Sequence, residues 1–173
     1  NLKTIQKYGG IMTEELNNNR KYWDALKETD PRFTKKINKG FGDLTTIDPQ
    51  WQIMKMTETF GPVGEGWNYS VDYKYLELKE PVVIAEVKVA HKKLANGWDY
   101  YGAVSSTLKL FKKNGTYDDE APKKCMTDAL TKAFSHLGLC SDIFMGLYDN
   151  NKYVEKLEEK YSNVDKSKVK KVS

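Results

Sequence analysis

Residues 118–154 read "DDEAPKKCMTDALTKAFSHLGLCSDIFMGLYDNNKYV". Wound as a helix, the stretch sends Cys125, Met126, Ala129, Leu130, Ala133, Phe134 and Leu137 to one side, the recurrence of a buried stripe. Lys124, Asp128, Thr131, Lys132 and Ser135 fall on the other side. Lys124, Asp128 and Lys132 stand four residues apart, and that spacing supports two kinds of chemistry. One is a ladder of surface ion pairs contributing about 0.2–0.5 kcal/mol each. The other is a row of cations that meets phosphates. A second constellation lies in "IAEVKVA", where Glu86-x-Lys88 follows an upstream Asp72. Metal-dependent nucleases use such residues: two carboxylates hold a divalent ion while a lysine supports the attacking water. Plain alternation along a wet strand produces the same pattern.

The elements that carry these residues follow from periodicity and punctuation. "TEELNNNRKYWDALKET" over 13–29 predicts one amphipathic helix on Leu16, Tyr22, Trp23 and Leu26, broken by Asp30-Pro31. Between Pro31 and Gly40 there are four basic residues (Arg32, Lys35, Lys36 and Lys39) and no acid. Asp48 as cap and Pro49 at the first helical position start a helix that Gly61 ends; Trp51, Ile53, Met54, Met56 and Phe60 form its apolar side. From Gly66 the period becomes two: Val83, Ala85, Val87 and Val89 point one way, Ile84, Glu86 and Lys88 the other. Asn96-Gly97 and Asn114-Gly115 are turn dipeptides. These runs predict an antiparallel meander of three to four strands with one wet face. Asp118 or Asp119 is the expected cap of the long helix, and Pro122 is tolerated in its first turn. The predicted fold class is α+β, an antiparallel β-meander packed on a long amphipathic helix with flanking helices. The expected division is an N-terminal extension over 1–29, one domain over 30–157 and a basic tail over 158–173. From Asn151 onward there are seven lysines against four acids.

Composition sets outer limits. At 173 residues with 39% hydrophobic and 12% aromatic content, the chain has material for a core. Its 28 basic and 24 acidic residues leave a net charge of +4, so any polyanion partner depends on where the charge sits. Cys125 and Cys140 form no CxxC pair, and His91 and His136 are the two histidines, so no familiar metal spacing arises. Both cysteines read as packing residues of a reduced, cytoplasmic protein. No run of about 18 apolar residues suggests a membrane span. "MTEELNNNRKYW" reads as a natural start at Met12, which would make residues 1–11 upstream sequence.

"KKCMTDALTKAFSHLG" followed by "GLYDNNKYVEKL" resembles the signature of the Rad-fifty-two superfamily of single-strand annealing proteins, its phage members above all. "MKMTETFGPVGEGW" is similar to that family's helix ending in Phe-Gly before a glycine-bearing turn into Trp. "VVIAEVKVAHKKLANGWDYYGAVSS" is similar to its hairpin, and "TDPRFTKKINKGFGDLTTIDPQWQI" to the segment before its first core helix. The likeness covers roughly residues 29–157 and centres on Thr127-Asp128 with Leu130, Lys132 and Ala133. It implies a β-β-β-α core and a homo-oligomeric ring or filament that binds and anneals single-stranded DNA in homologous recombination. It also implies no ATP, no metal and no cofactor; the partners would be single-stranded DNA, further copies of the chain, and a host single-strand-binding protein or a recombination exonuclease. A bacteriophage origin would place it in the cytoplasm of a bacterial host.

The departures from the family matter for the site. Of two adjacent basic residues in the family's helix, Thr131 and Lys132 retain one, and a further arginine meets Ser135. An arginine of the earlier helix aligns near Gln52, with Lys55 one turn on. The implied DNA-binding set is therefore Lys132, Lys124, Lys123, Lys35, Lys36, Arg32, Lys39, Lys55, Lys112 and Lys113. Trp51, Trp67, Trp98, Tyr100 and Tyr101 either stack bases or belong to the core. Two rivals stand beside this reading: a metal-dependent nuclease using Asp72, Glu86 and Lys88, and an oligomeric scaffold that binds no nucleic acid.

Overall fold

The computed structural model describes residues 20–38, 40, 42–92 and 98–162, with residues 92 and 99 as backbone alone. Residues 1–19, Lys39, the Asn96-Gly97 turn and the tail beyond 162 lie outside the described residues. Among the described residues no helix is long and apolar enough to cross a membrane. Residues 47–136 form one compact unit, and the described residues on either side of them form a second.

In the first unit, helix α2 (Pro49–Phe60) begins as its residues dictate. Asp48 accepts a hydrogen bond from the Gln50 amide at 2.8 Å, and Pro49 supplies the preset φ of the first turn. Gly61 ends it at φ 103°, a conformation that side chains resist. The buried residues are Trp51, Gln52 and Met56; Ile53, Met54 and Phe60 are only partly covered. Gln52 was not expected inside, and its carbonyl oxygen accepts the Thr131 hydroxyl at 2.8 Å. A tight turn then leads into Trp67. A Cβ on Gly66 would lie 1.8 Å from the Phe60 carbonyl oxygen, so only glycine fits.

Strands β3 (Trp67–Leu76), β4 (Val82–Lys92) and β5 (Trp98–Lys109) form an antiparallel sheet in that order. Val83, Ala85, Val87 and Val89 have no exposed surface, as the alternation predicts. Helix α3 (Ala121–Ser135) covers β4 and β5 with Ala121, Cys125, Ala129, Leu130, Ala133 and Phe134. Met126 and Leu137 of the predicted stripe are only partly buried. Fully burying side chains of the size of Phe134 or Trp67 contributes about 1.5–3 kcal/mol apiece. Phe134 meets Trp67 edge-on at 5.4 Å, and the Tyr101 hydroxyl donates to the Ala133 carbonyl at 3.1 Å. The fold is thus α+β, as expected, with three strands in the main sheet.

The cap of α3 differs from the expectation of Asp118 or Asp119. Glu120 occupies the cap position without a side-chain cap, while Asp118 lies farther back and gives its carboxylate to lysines. Pro122 does fall in the first turn. The Asn114-Gly115 turn lies beyond the sheet, between Phe111 and Tyr117, which form an isolated bridge.

The second unit holds α1 (Lys21–Leu26), the ribbon β1 (Thr34–Asn38) with β2 (Asp43–Ile47), the short α4 (Ser141–Phe144) and α5 (Asn151–Ser162). Its centre is the buried Asp142 carboxylate. It accepts from the Thr29 amide at 2.8 Å, the Thr29 hydroxyl at 2.6 Å and the Tyr153 hydroxyl at 3.1 Å. Tyr148 donates to the Thr29 carbonyl at 2.6 Å, so Tyr148 and Asp142 hold Thr29 while Tyr153 holds Asp142.

Two substitutions test this packing. Ala133→Asp places a charge at a position with no exposed surface and should cost about 4 kcal/mol. Gly66→Ala forces the backbone away from Phe60 and should cost about 3 kcal/mol. Urea denaturation of both variants measures these losses.

Candidate functional site

The polar face of α3 is half a ladder. Lys132 pairs with Asp128 at 2.6 Å, one turn away, as the spacing predicts. Asp128 also accepts the hydroxyl of the buried Ser106 on β5. Lys124 instead reaches back to Asp118 at 3.1 Å and Glu120 at 3.4 Å. Lys112 approaches the same Asp118 at 3.9 Å, and Lys123 approaches Glu120 at 3.8 Å. Asp118 therefore brackets the turn after β5 to the first turn of α3. The Lys124 ammonium beside Asp118 holds that carboxyl below the usual carboxylate range, and Asp118 in turn raises Lys124 above the ordinary lysine value.

Cross-strand register extends this cluster. Leu76 stands opposite Val82, and Val82 opposite Lys109, so the β3–β4 turn lies beside the end of β5. Lys79, Lys109, Lys112 and Lys113 line a groove of about 570 Å³ together with Glu80 and Phe111. Lys109 pairs with Glu80 at 2.5 Å. Lys79 and Lys113 have no ion pair among the described residues. Phe111 is 46% exposed and meets the 54% exposed Tyr117 edge-on at 5.8 Å. Four cations, two of them offset by acids, and two half-open rings form a surface suited to an anion that carries flat groups.

The predicted residues thus separate. Lys112 and Lys113 line this groove, and Lys123 and Lys124 adjoin it through Asp118 and Glu120. Lys132 lies farther along α3, and Lys55 on α2 pairs with Glu58 at 2.9 Å. Lys35 and Lys36 are exposed on β1 of the other unit, without an ion pair among the described residues. Arg32 is committed: its guanidinium donates to Asp30 at 3.0 Å through Nε and 2.6 Å through Nη2, and lies 6.0 Å from the Phe33 and Tyr161 rings. Of the suggested stacking residues, Trp51 and Trp67 are core, Trp98 and Tyr101 are partly buried, and Tyr100 is exposed. Sequence reading missed Lys79, Lys109, Phe111 and Tyr117. Only the adjacent "LFKK" marked that region, and strand register was needed to bring Lys79 to it.

The nuclease set is also brought together in part. Asp72 and Glu86 are direct cross-strand partners, and Lys88 lies two residues along the same face. Glu86, however, is taken by Lys74 at 2.6 Å. Among the described residues no three His, Cys, Asp or Glu side chains are grouped to hold a metal ion. Cys125 and Cys140 are both buried and unbridged, which fits their reading as packing residues.

An NMR titration of Asp118 checks the bracket. Lys124→Ala should move its pKa up toward the ordinary carboxylate value, and Lys112→Ala should move it less, because that ammonium is farther away. In comparisons with known proteins, no family model and no curated protein matches the chain.

Proposed function

We propose that this chain binds and anneals single-stranded DNA without ATP, as a homo-oligomer acting in homologous recombination. The observation that carries the reading is the groove of Lys79, Lys109, Lys112 and Lys113 beside the half-exposed Phe111 and Tyr117. Lysines hold phosphates irrespective of sequence, and exposed rings accept any base by stacking at about 1–3 kcal/mol per base. A surface that reads no sequence yet keeps bases accessible is what pairing two strands requires. Its likeness to the annealing family in "KKCMTDALTKAFSHLG" adds support, since that helix starts at the edge of the lysine cluster. Lys123 and Lys124 extend the basic surface, Lys132 and Lys55 contribute farther off, and Lys35, Lys36 and Lys39 supply a second basic segment. One copy offers few contacts, and repetition of the chain sets them in line along a strand.

Mixing two labelled complementary strands with the protein tests the activity directly. Pairing should accelerate without nucleotide and in the presence of chelator. A strict need for ATP would overturn the reading, and metal-dependent strand cleavage would select the nuclease of Asp72, Glu86 and Lys88. Failure to retain single-stranded DNA at low salt would select the scaffold.

The salt dependence of binding tests the surface itself. Lys113→Ala should lower the slope by about 0.7, the loss of one single-strand phosphate contact. Lys132→Ala should lower it by less, because Asp128 already shares that ammonium. An unchanged slope in folded Lys112→Ala and Lys113→Ala proteins would remove the groove from the interface and leave Lys35 and Lys36 as the site.

A further inference from the structure

We propose that the two outer edges of the β3–β4–β5 sheet are the halves of one head-to-tail joint, in which β3 of one copy of the chain adds to β5 of the next. This deepens the self-association in the function proposed above; it draws on the same lysines at the end of β5 as the DNA reading, and its test is made without DNA.

The sheet has ten-residue and twelve-residue strands at its edges. Apart from a single bridge between Trp67 and Val63, neither edge has a partner strand among the described residues. Long open edges are normally blunted by charge, proline or a covering element. Strand β3 is charged on one face, at Asp72 and Lys74, but on the other Tyr69, Val71, Tyr73 and Tyr75 stand across from Val89, Val87, Ala85 and Val83, and so share the face that α3 covers. Helix α3 packs on β4 and β5 instead, and Tyr73 and Tyr75 remain 41% and 57% exposed. On the other edge, Ser105 and Thr107 of β5 are exposed on the face away from α3, across from Glu86 and Ile84, while Ser106 and Leu108 share the face of the β3 tyrosines.

Direction and charge select the occupant. Both β3 and β5 run antiparallel to β4, hence parallel to each other. A second copy added with the same face forward pairs its β3 in parallel with β5 and keeps every α3 on one side. Such a joint is heterologous and repeats into a ring or a filament. Leu76 and Lys109 lie at the same end of the sheet, so the incoming Glu77 reaches the end of β5 at Lys109, Lys112 and Lys113. Glu77 is exposed and has no ion pair among the described residues. A two-fold joint of β3 against β3 would send Glu77 to the opposite end of its partner, away from any such cluster.

Two exposed positions test the joint by complementation. Tyr73→Arg spoils the β3 edge and Ser105→Arg spoils the β5 edge; thermal melting followed by circular dichroism verifies that both fold. Light scattering without DNA, at tens of micromolar protein, should show the unaltered chain as a large oligomer and each variant as a monomer. An equimolar mixture should form dimers and nothing larger, because one good β3 edge and one good β5 edge remain. Glu77→Lys and Lys113→Glu should each raise the concentration needed for assembly about tenfold, and together restore it. A mixture that stays monomeric overturns the joint. So does a Ser105→Arg protein that still assembles while Tyr73→Arg does not, which marks a two-fold β3 joint or another segment of the chain on that edge. Variants that both keep the full mass overturn the joint and leave self-association standing, whereas a monomeric unaltered chain overturns both.

Discussion

Burial of one helical stripe on one face of a sheet organises the 47–136 unit. Cys125, Ala129, Ala133 and Phe134 need a flat apolar surface, and Val83, Ala85, Val87 and Val89 provide it without exposed area. The stripe is built largely from small residues, so helix and sheet approach closely. The Cys125 sulfur lies 3.0 Å from the Ser106 carbonyl oxygen, and the Tyr101 hydroxyl reaches the Ala133 carbonyl. Because the stripe is narrow, α3 lies mainly on β4 and β5 and meets β3 at its first residue, Trp67. The same constraint that makes the core leaves the tyrosines of β3 in the open.

Acids decide which of the many cations are available. Asp30 is buried and holds Arg32 through three side-chain hydrogen bonds, so a residue of the basic run is spent inside the 3-10 turn Pro31–Phe33 that Asp30 caps. Asp128 takes Lys132, and Asp118 takes Lys124 with Lys112 nearby. These exposed pairs contribute little to stability, typically below about 1 kcal/mol. Their effect is positional: Asp118 draws two lysines from separate elements toward one place. Lys79 and Lys113 have no ion pair among the described residues, and both line the groove with Lys109 and Lys112.

The second unit depends on a different device. Asp142 lies in a four-residue helix that has little stability of its own, and its carboxylate ties that helix to Thr29 and Tyr153. Burial raises the phenol pKa values of Tyr148 and Tyr153, the nearby Asp142 charge acting in the same direction, so both remain hydrogen-bond donors across the ordinary pH range. Polar bonds between distant segments supply order where short elements give little apolar area.

Local rules in the sequence determined the elements: Asp48-Pro49 and Gly61 bounded α2, alternation from Val83 to Val89 set β4, and the period of Cys125 to Phe134 set the buried side of α3. These succeed because capping, pleat and helical period act between residues a few positions apart. Tertiary structure alone decided that Asp118 serves lysines rather than the helix cap, that Gln52 is buried against Thr131, and that Arg32 is spent on Asp30. It also decided that Lys79 joins Lys109, Lys112 and Lys113, residues thirty and more positions away. Charge partners and grooves depend on strand register and on which strands a helix covers. Those are set by packing the apolar surfaces together, which no single stretch of residues encodes.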